Sequence, residues 1–488
     1  MSNGQTYKSL VIRDAMIING KGVPPYGPCD IVVEDGKIKE IVNVDTISLT
    51  RYKIKRPEAE HVIEAKGMYV TPGLVDMHIH INIADEKCGP KGTEYAYKLC
   101  LAHGITTIRT CGFGTDKQLL EHKKLSVENK IVAPRIMVLG SWPAEAHTVE
   151  ESRKAVRDLK QLGVDGIKMI PRPHVTAEML EAIADEMRKV GLRTGIAIHH
   201  AQNSELNALI TSNAAKDKLS IEHTYGIPQA ALPGTQNFPP FYNYSNEVDR
   251  FRNSGYIWTE ADQYPERVKK VFDTLFENKT VWDPTMVVYE AHRDYERCKT
   301  LPWHEKYTVR QLWEAYSPSP GRHATHFFDW KTSDEIAWKE KYKIWMKYVK
   351  YFFDNGGTLI AGSDTAFIYA LFGFALIREL ELFQEAGIHP IDVLKIATTN
   401  AQKTLGNEEL AGGIRQGAPA DLAIIDGNPL DNFKVMYGTG VTRYAEDGLS
   451  MTRGGGVRWT IKNGIVFDCK ELLADIEEYV KSQGPKKP

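Results

Sequence analysis

The sequence has few cysteines, little net charge and no long apolar run, and each shortage excludes a class of protein. Six cysteines are scattered over 488 residues without a Cys-X-X-Cys pair, which argues against a disulfide framework and against zinc held by thiolates. No apolar stretch approaches the ~18–20 residues of a membrane span. The formal net charge of −2 gives no reason to expect nucleic acid or an anionic membrane as a partner.

Two further absences narrow the location and the fold. The first residues, MSNGQTYKSLVIRDAM, contain no basic region followed by an apolar run, so no secretory signal is predicted. Together with scattered free thiols, this predicts a cytoplasmic protein. No glycine-rich phosphate loop follows the first strand signal, which disfavours an open doubly wound sheet. No internal repeat of fixed period is visible.

The two ends of the chain resemble each other in their short β-rich runs. SLVIRDAMIING and DIVVEDGKIKEIV lie near the start, and ADLAIIDGNPL and VRWTIKNGIVFD lie near the end. Asp35-Gly36 and Asn463-Gly464 are two-residue hairpin signals. We therefore expect one small β-sandwich domain built from both chain ends. Its predicted parts are residues 1–70 and 409–470, followed by a polar helix and a frayed, lysine-rich tail at 471–488.

The middle of the chain alternates strand signals with helical patterns, which predicts a (β/α)₈ TIM barrel over residues 71–408. Helical patterns cover 148–162, 176–190 and 340–354. A long insertion around 230–335 is crowded with aromatic rings, prolines and histidines. Apolar β-runs lie at 73–80, 105–110, 135–140, 164–170, 194–199, 219–223, 280–285 and 357–364.

Polar side chains stand at the ends of five of these predicted strands. In TPGLVDMHIH, the strand period of two turns His78 and His80 to the same face. In a barrel, the carboxyl ends of the strands gather on one rim, so we expect the polar residues to meet there. The remaining strand-end residues are Lys168, His199-His200, Glu222-His223 and Asp364.

With these residues in place, the chain resembles the amidohydrolase superfamily almost from end to end. Its branch resembles the imidazolonepropionase-like proteins that include metal-dependent dipeptidases, carboxypeptidases and ochratoxin-type amide hydrolases. The motifs that carry the resemblance are VTPGLVDMHIH, HGITTIRT, GVDGIKMI, IAIHHA, SIEHTYG, AGSDTA, ATTNAQKTLG and GGIRQGAPADLAIIDGNPL.

The resemblance implies a binuclear metal site. His78, His80 and Asp364 would hold one divalent ion, and His199 and His223 the second. A carbamate on Lys168 would bridge the two ions. Zinc suits these ligands, and manganese, cobalt or nickel would also be accepted. The implied reaction is cleavage of an amide or peptide-like C–N bond in a small-molecule substrate by a metal-bridging hydroxide, with Asp364 transferring the proton.

Several assignments stay open at this level. HHAQ at 199–202 replaces the family's His-Ala-His-Gly, so His200 is an alternative to His199. Thr110 follows Arg109 where many relatives have aspartate, which puts a contact behind the metal ligands in doubt. Tyr225 could direct its hydroxyl at the substrate oxygen or pack its loop. His147 could recognise a substrate carboxylate.

Two other functions compete with amide hydrolysis. An esterase, lactonase or phosphotriesterase could use the same hydroxide. A non-catalytic scaffold with this fold is disfavoured because every implied ligand position is occupied. The aromatic insertion is either a lid over an apolar pocket or a structural and subunit contact. We expect a homo-oligomer.

Overall fold

The computed structural model describes residues 4–112, 116–200, 205–234, 238, 240, 242–445, 447–484 and 486. Its strands form three sheets. The strands are β1 Ser9–Ile17, β2 Tyr26–Glu34, β3 Lys37–Asn43, β4 His61–Glu64, β5 Tyr69–Pro72, β6 Leu74–Ile79, β7 Ile105–Cys111, β8 Arg135–Ser141, β9 Gly166–Met169, β10 Ile196–Ile198, β11 Leu219–Glu222, β12 Val281–Asp283, β13 Thr358–Leu359, β14 Leu422–Asp426, β15 Val441–Tyr444, β16 Met451–Gly454, β17 Gly456–Lys462 and β18 Ile465–Asp468.

The α-helices lie mainly between and after the strands of the middle of the chain. None of the described helices is long and apolar enough to cross a lipid bilayer. They are α1 Thr46–Thr50, α2 Ala84–Cys88, α3 Gly92–Leu101, α4 Asp116–Val127, α5 Val149–Leu162, α6 Ala177–Val190, α7 Ala208–Ala215, α8 Ile227–Ala231, α9 Glu247–Ala261, α10 Pro265–Glu277, α11 Glu290–Arg293, α12 Tyr295–Lys299, α13 His304–Tyr307, α14 Arg310–Tyr316, α15 Thr332–Asp354, α16 Phe374–Glu385, α17 Pro390–Lys395, α18 Ala401–Thr404, α19 Glu408–Ala411 and α20 Cys469–Ser482.

Strands β6 to β13 form a parallel eight-stranded sheet in chain order. The amide of Met77 donates to Ala361 O over 2.9 Å, and the amide of His80 donates to Thr365 O over 2.8 Å. These bonds join β6 to the segment after β13 and close the sheet. All eight predicted strand signals are strands, and the predicted (β/α)₈ barrel with a small β domain is confirmed.

The barrel strands and helices follow from simple sequence patterns. Every residue of β6 and β7 is buried, because a parallel strand is covered on both faces and therefore reads as an apolar run. Helix α5 begins where Thr148 accepts a hydrogen bond from the Glu151 amide and ends at Gly163, whose φ is +99°. Such a cap and a left-handed glycine are strong helix boundaries.

Strands from both chain ends share one eight-stranded sheet, in the order β18-β17-β14-β5-β1-β2-β3, with β4 also paired to β1. Both predicted hairpin turns form. Asp35 and Gly36 have φ values of +48° and +74°, and Asn463 and Gly464 have +49° and +77°, as a two-residue turn between twisted strands requires. The sheet encloses its own apolar core, distinct from the main core of the barrel.

The C-terminal helix α20 is amphipathic rather than wholly polar. Leu472, Leu473, Ile476 and Val480 are buried. In the predicted tail, residues 485, 487 and 488 lie outside the described residues. All six cysteines are buried free thiols. The domain boundaries proposed from the sequence stay a prediction.

Candidate metal centre

The strand-end side chains named from the sequence meet at the carboxyl ends of the barrel strands. His78 belongs to β6 and Lys168 to β9. His199 and His223 directly follow β10 and β11, and Asp364 lies five residues after the end of β13. They surround one cavity of about 260 Å³. The polar residues that line it from this rim are His78, His80, Lys168, His199, His200, His223 and Asp364.

His78 is oriented by a buried carboxylate. Its Nδ1 lies 2.6 Å from Glu222 Oε2, and both side chains are fully buried. The ring therefore donates from Nδ1, which leaves Nε2 as an acceptor facing the cavity. A carboxylate behind an imidazole is the usual way to fix the tautomer of a metal ligand.

Asp364 lies among the histidines. Its Oδ1 is 2.9 Å from His80 Nε2 and 3.6 Å from His78 Nε2, and its Oδ2 is 3.7 Å from His223 Nδ1. One ligand atom from each of His78, His223 and Asp364 lies within 4.8 Å of the others. Such spacing suits donor atoms that converge on one cation.

The ionisation of the histidines also fits a metal. Burial first, and then the charge of Lys168, holds the pKa values of His78 and His199 well below the ordinary value. Burial, with His199 next, does the same for the pKa of His223. An imidazole must be neutral to bind a metal, so this donor set suits divalent transition ions and in particular zinc.

Lys168 stands inside this cluster and is 6% exposed. Its Nζ is 3.1 Å from His78 Nε2. A lysine amine at this place is near enough to the histidine nitrogens to carry a ligand oxygen between two ions once carbamylated.

The two adjacent histidines after β10 have different surroundings. The His199 ring centroid is 4.5 Å from that of His223, and the ring stacks on Tyr225. His200 Nε2 instead pairs with Thr211 Oγ1 over 2.9 Å, and its ring lies against the backbone of Gly226. Burial lowers the pKa of His200 to about 3. This geometry favours His199 as the ligand and gives His200 a packing role.

Sequence reasoning missed the ionic network beneath the ligands. Arg109 is 1% exposed and donates from Nη2 to both oxygens of Glu222 over 2.9 Å. The same nitrogen lies 3.5 Å from Oδ2 of Asp283, the last residue of β12. Glu222 also accepts from the Ser220 hydroxyl. One sequence feature could have predicted this network. Arg109 lies inside the apolar run ITTIRT, where burying an unpaired charge would be costly.

A second buried carboxylate, that of Asp76, holds the segment between β13 and Asp364 in place. Asp76 accepts from the Ser363 hydroxyl over 2.5 Å, from the Ser363 amide over 3.0 Å and from the His78 amide over 3.2 Å. Burial raises the pKa of Asp76 to about 7. These contacts tie the residue before Asp364 to β6.

Two of the proposed ligands have left-handed backbone. His223 has a φ of +69° and Asp364 a φ of +51°, and Thr285, whose hydroxyl oxygen is 2.7 Å from His223 Nδ1, has +46°. This conformation costs free energy in residues other than glycine and is concentrated at functional sites. The strained turns lie at the rim, where each strand ends.

Much of the remaining cavity wall comes from the long connection between β11 and β13 and from the segment after β13. Tyr225 and Tyr289 are each 4% exposed and line the cavity. Burial raises the pKa values of both phenols, so they are neutral donors. Phe251 and Phe367 add apolar walls.

Two basic side chains also line this cavity. Arg250 Nη2 is 2.9 Å from Glu247 Oε1, and His323 Nδ1 is 2.6 Å from the same oxygen. The His323 side chain is 58% exposed, so this part of the wall is open to solvent. One carboxylate therefore positions two groups that could attract an anion.

The structure does not bring His147 to this cavity. It is exposed, its ring packs on His174 with centroids 4.1 Å apart, and its amide donates to Glu151. His147 is not among the described residues that line the cavity. Its proposed contact with a substrate carboxylate therefore has no support in this geometry, whereas Arg250 and His323 occupy such a place.

Comparisons with known proteins agree with this architecture. A family model described as the amidohydrolase family matches residues 69–237 and 353–466. It leaves residues 238–352 without a match, and we call these the unmatched segment. A dihydroorotase from Geobacter sulfurreducens is 26% identical over 236 residues, which are 46% of this chain and 49% of the relative. The chain thus matches about half the length of that curated relative.

Solved structures with the same fold cover nearly the whole chain. A Xaa-Pro dipeptidase with bound methionine superposes with a TM-score of 0.62 at 17% identity and covers 94% of this chain and 100% of its own. The A. niger ochratoxinase gives a TM-score of 0.60 at 17% identity, with 95% and 96% covered. At such low identity these likenesses establish the fold alone.

Proposed function

The chain belongs to the amidohydrolase family, and on that premise we propose that it is a binuclear metal-dependent hydrolase of an amide or peptide-like C–N bond. The observation that carries the proposal is the convergence of six potential ligands on one cavity wall. They come from residues far apart in the chain, and they are His78, His80, Lys168, His199, His223 and Asp364.

In this proposal His78, His80 and Asp364 would hold one ion, His199 and His223 would hold the other, and a carbamate formed from Lys168 and carbon dioxide would supply anionic oxygen ligands. Two such ions, when bound, would lower the pKa of a shared water and polarise the scissile carbonyl. Zinc fits the imidazole and carboxylate donors, and manganese, cobalt and nickel remain alternatives for the metal analysis.

The residues of the chain supply the remaining steps. Asp364, whose two oxygens face different histidines, accepts a proton as the C–N bond is attacked and returns it to the leaving nitrogen. An amine leaves poorly without this proton. Tyr225 is a neutral phenol whose ring stacks on that of His199, and it donates a hydrogen bond to the substrate oxygen as negative charge develops there.

The cavity also supports an expectation about the substrate. Aromatic walls favour a bulky apolar or aromatic group, and Arg250 with His323 favours an anionic group near the opening. We propose a small amide that carries both, such as an N-acyl aromatic amino acid or a dipeptide.

The test is a substrate panel measured on metal-loaded protein, with acyl-amino acids, dipeptides, aryl amides, lactones and phosphotriesters. We expect turnover of amides, fastest for those with a bulky apolar group, and loss of turnover after chelation. Protein that contains no transition metal while hydrolysing amides would contradict the metal assignment. If only lactones or phosphotriesters are turned over, the protein is a lactonase or phosphotriesterase and not an amide hydrolase.

A further inference from the structure

The end of β12 and the residues after it hold one of the proposed metal ligands from several sides. The His223 amide donates to Asp283 O over 2.7 Å, and the ring nitrogen of Trp282 donates to His223 O over 2.8 Å. The ring of His223 is held as well, because its Nδ1 lies 2.7 Å from the Thr285 hydroxyl oxygen. The position of this histidine therefore depends on the path of residues 282–285.

The Thr285 hydroxyl determines which ring nitrogen of His223 carries the proton. This hydroxyl has one hydrogen, and it donates that hydrogen to Pro284 O over 2.8 Å. Its oxygen therefore accepts a hydrogen bond from His223 Nδ1. Asp364 Oδ2, which is 3.7 Å from the same nitrogen, also favours a proton there. The lone pair of the neutral ring is then on Nε2, where it is available to a metal ion.

Thr285 has a backbone conformation that needs support from its surroundings. Its φ is +46°, and the residue is fully buried. A left-handed conformation is costly for a β-branched residue and persists only where the surrounding structure enforces it. If this turn relaxed, the hydroxyl would move away from His223.

The support comes from Glu379 on α16, which binds the two residues that follow Thr285. Its Oε1 accepts from the Met286 amide over 2.9 Å, and its Oε2 accepts from the Val287 amide over 2.7 Å. Two neighbouring amides require two acceptor oxygens, and a carboxylate presents two on one carbon. Glu379 is fully buried. Burial raises its pKa to about 8, whereas the two amides lower it.

We propose that Glu379 is a positioning residue, which fixes the turn at Thr285 and so holds the Thr285 hydroxyl against Nδ1 of His223. The inference rests on the proposed binuclear hydrolase and adds to it a residue that acts from behind the site. Glu379 is not among the described residues that line the cavity, so it influences the ligand only through the turn.

The first test is Glu379→Gln, which keeps the shape of the side chain but offers one acceptor oxygen instead of two. One of the two amides then faces an NH₂ group, and the turn loses part of its support. In metal-loaded protein we expect the affinity for one of the two ions to fall about 10- to 100-fold, the range typical for groups that orient a metal ligand. Competition with a chelator measures this affinity, and the other ion should be retained as in wild type.

The matched control is Glu186→Gln on α6, where a carboxylate of a residue that is 7% exposed pairs with Arg153 and Arg157. Both variants remove an acceptor from buried donors, so both should lose stability. Glu186 is not among the described residues that line the cavity, and its variant should keep the wild-type metal affinity. If Glu379→Gln behaved in the same way, with lower stability and unchanged metal affinity, Glu379 would be structural and the proposal would be overturned.

Substitutions at Thr285 decide whether Glu379 acts through the hydroxyl. Thr285→Val keeps the branched shape and loses the oxygen, so it should weaken metal binding as Glu379→Gln does. Thr285→Ser keeps the oxygen and should bind metal like wild type. In the Thr285→Val background, Glu379→Gln should have almost no further effect on metal affinity, although it should still lower the free energy of unfolding. Effects on affinity that multiply would contradict the proposal.

A readout without metal or turnover separates this inference from the proposed function. In full-length protein dialysed against a chelator, with ¹⁵N in the histidine rings, the His223 signals are assigned by their absence in His223→Gln. Wild type should carry the proton on Nδ1, and Glu379→Gln should move the two nitrogen signals towards each other, whereas Glu186→Gln should leave them in place. Such a change in protein that binds no metal or hydrolyses no amide would refute the proposed function and keep the contact. Unchanged signals in an active enzyme, or a proton on Nε2 in wild type, would refute the contact alone.

Discussion

Glu222 at the barrel rim and Lys341 in the unmatched segment are both buried polar side chains, but the cost of burying them is compensated in different ways. At the rim, Glu222 contacts Arg109, His78 and Ser220 at once, so its charge meets an opposite charge and further donors. In the unmatched segment, Lys341 has one hydroxyl partner and aromatic faces. A dense ionic network fixes geometry, whereas a sparsely satisfied group stays sensitive to what occupies the cavity.

This difference suggests a division of labour. We expect the rim, most of which the family model matches, to carry the residues for hydrolysis in general. We expect the unmatched segment, with its rings and with Arg250 near the opening, to select the substrate. The following substitutions test that division, from the largest expected effect to the smallest.

Lys168→Ala should cause the largest loss. The variant removes the amine, 3.1 Å from His78 Nε2, on which the proposed carbamate would form, so we expect fewer than two metal equivalents per chain and almost no turnover. Acetate or propionate should restore part of both, because a short acid replaces the carbamate oxygens. Neither acid should restore Lys168→Arg, since the guanidinium keeps its positive charge and fills the space that the acid would occupy. Metal analysis and turnover with and without acid provide the measurement.

Full metal content and activity in Lys168→Ala would remove the bridge from the mechanism. The wild-type enzyme with the same acids is the control, because an acid that accelerates wild type is not acting through the vacated space.

His199→Ala and His200→Ala should separate a ligand from its packed neighbour. We expect His199→Ala to lose one metal equivalent and most activity. His200→Ala should keep both metals and lose about 1–3 kcal/mol of unfolding free energy, because it removes a buried ring and its hydrogen bond to Thr211 Oγ1. The measurements are metal stoichiometry and thermal or denaturant unfolding. Loss of metal in the second variant alone would reverse the assignment.

Glu222→Gln tests the network beneath the ligands. The amide keeps the shape of the carboxylate but cannot balance the Arg109 charge, and it weakens the hold on His78 Nδ1. We expect metal affinity or activity to fall about 10- to 100-fold, the range typical for groups that orient a metal ligand. Competition with a chelator measures the affinity. An unchanged affinity would mean that the ligand cluster is rigid without this contact.

Arg250→Met should have the smallest effect and the most selective one. We expect KM for an anionic amide to rise about 10-fold, equivalent to ~1.4 kcal/mol, with kcat unchanged and neutral amides unaffected. The control is Arg267→Met on α10, an exposed arginine that also packs on a tyrosine ring, Tyr264, at 4.4 Å. If both variants had equal effects, or if charged and neutral amides were affected equally, Arg250 in the unmatched segment would have no role in selecting the substrate.

The sequence by itself determined the architecture because its signals are local. Apolar runs, the capping threonine at 148, and turns such as Asp35-Gly36 depend on neighbours within a few residues. The spacing of His78 and His80 placed them on one face of a strand for the same reason. The resemblance to the family followed from short motifs, several of which end a barrel strand, and this resemblance implied all six potential ligands.

Only the tertiary structure decided which of these polar groups meet and what supports them. The partnership of Arg109 with Glu222 spans 113 residues, and no local period encodes such a contact. The left-handed backbone at His223 and Asp364 arises where strand ends are forced to turn over the rim, so propensity does not predict it. His147 was plausible by position yet packs on His174, because loop direction depends on long-range packing. Lys341 read as an ordinary helix lysine, and only the packing of α15 on α9 buries it beside the Ser254 hydroxyl.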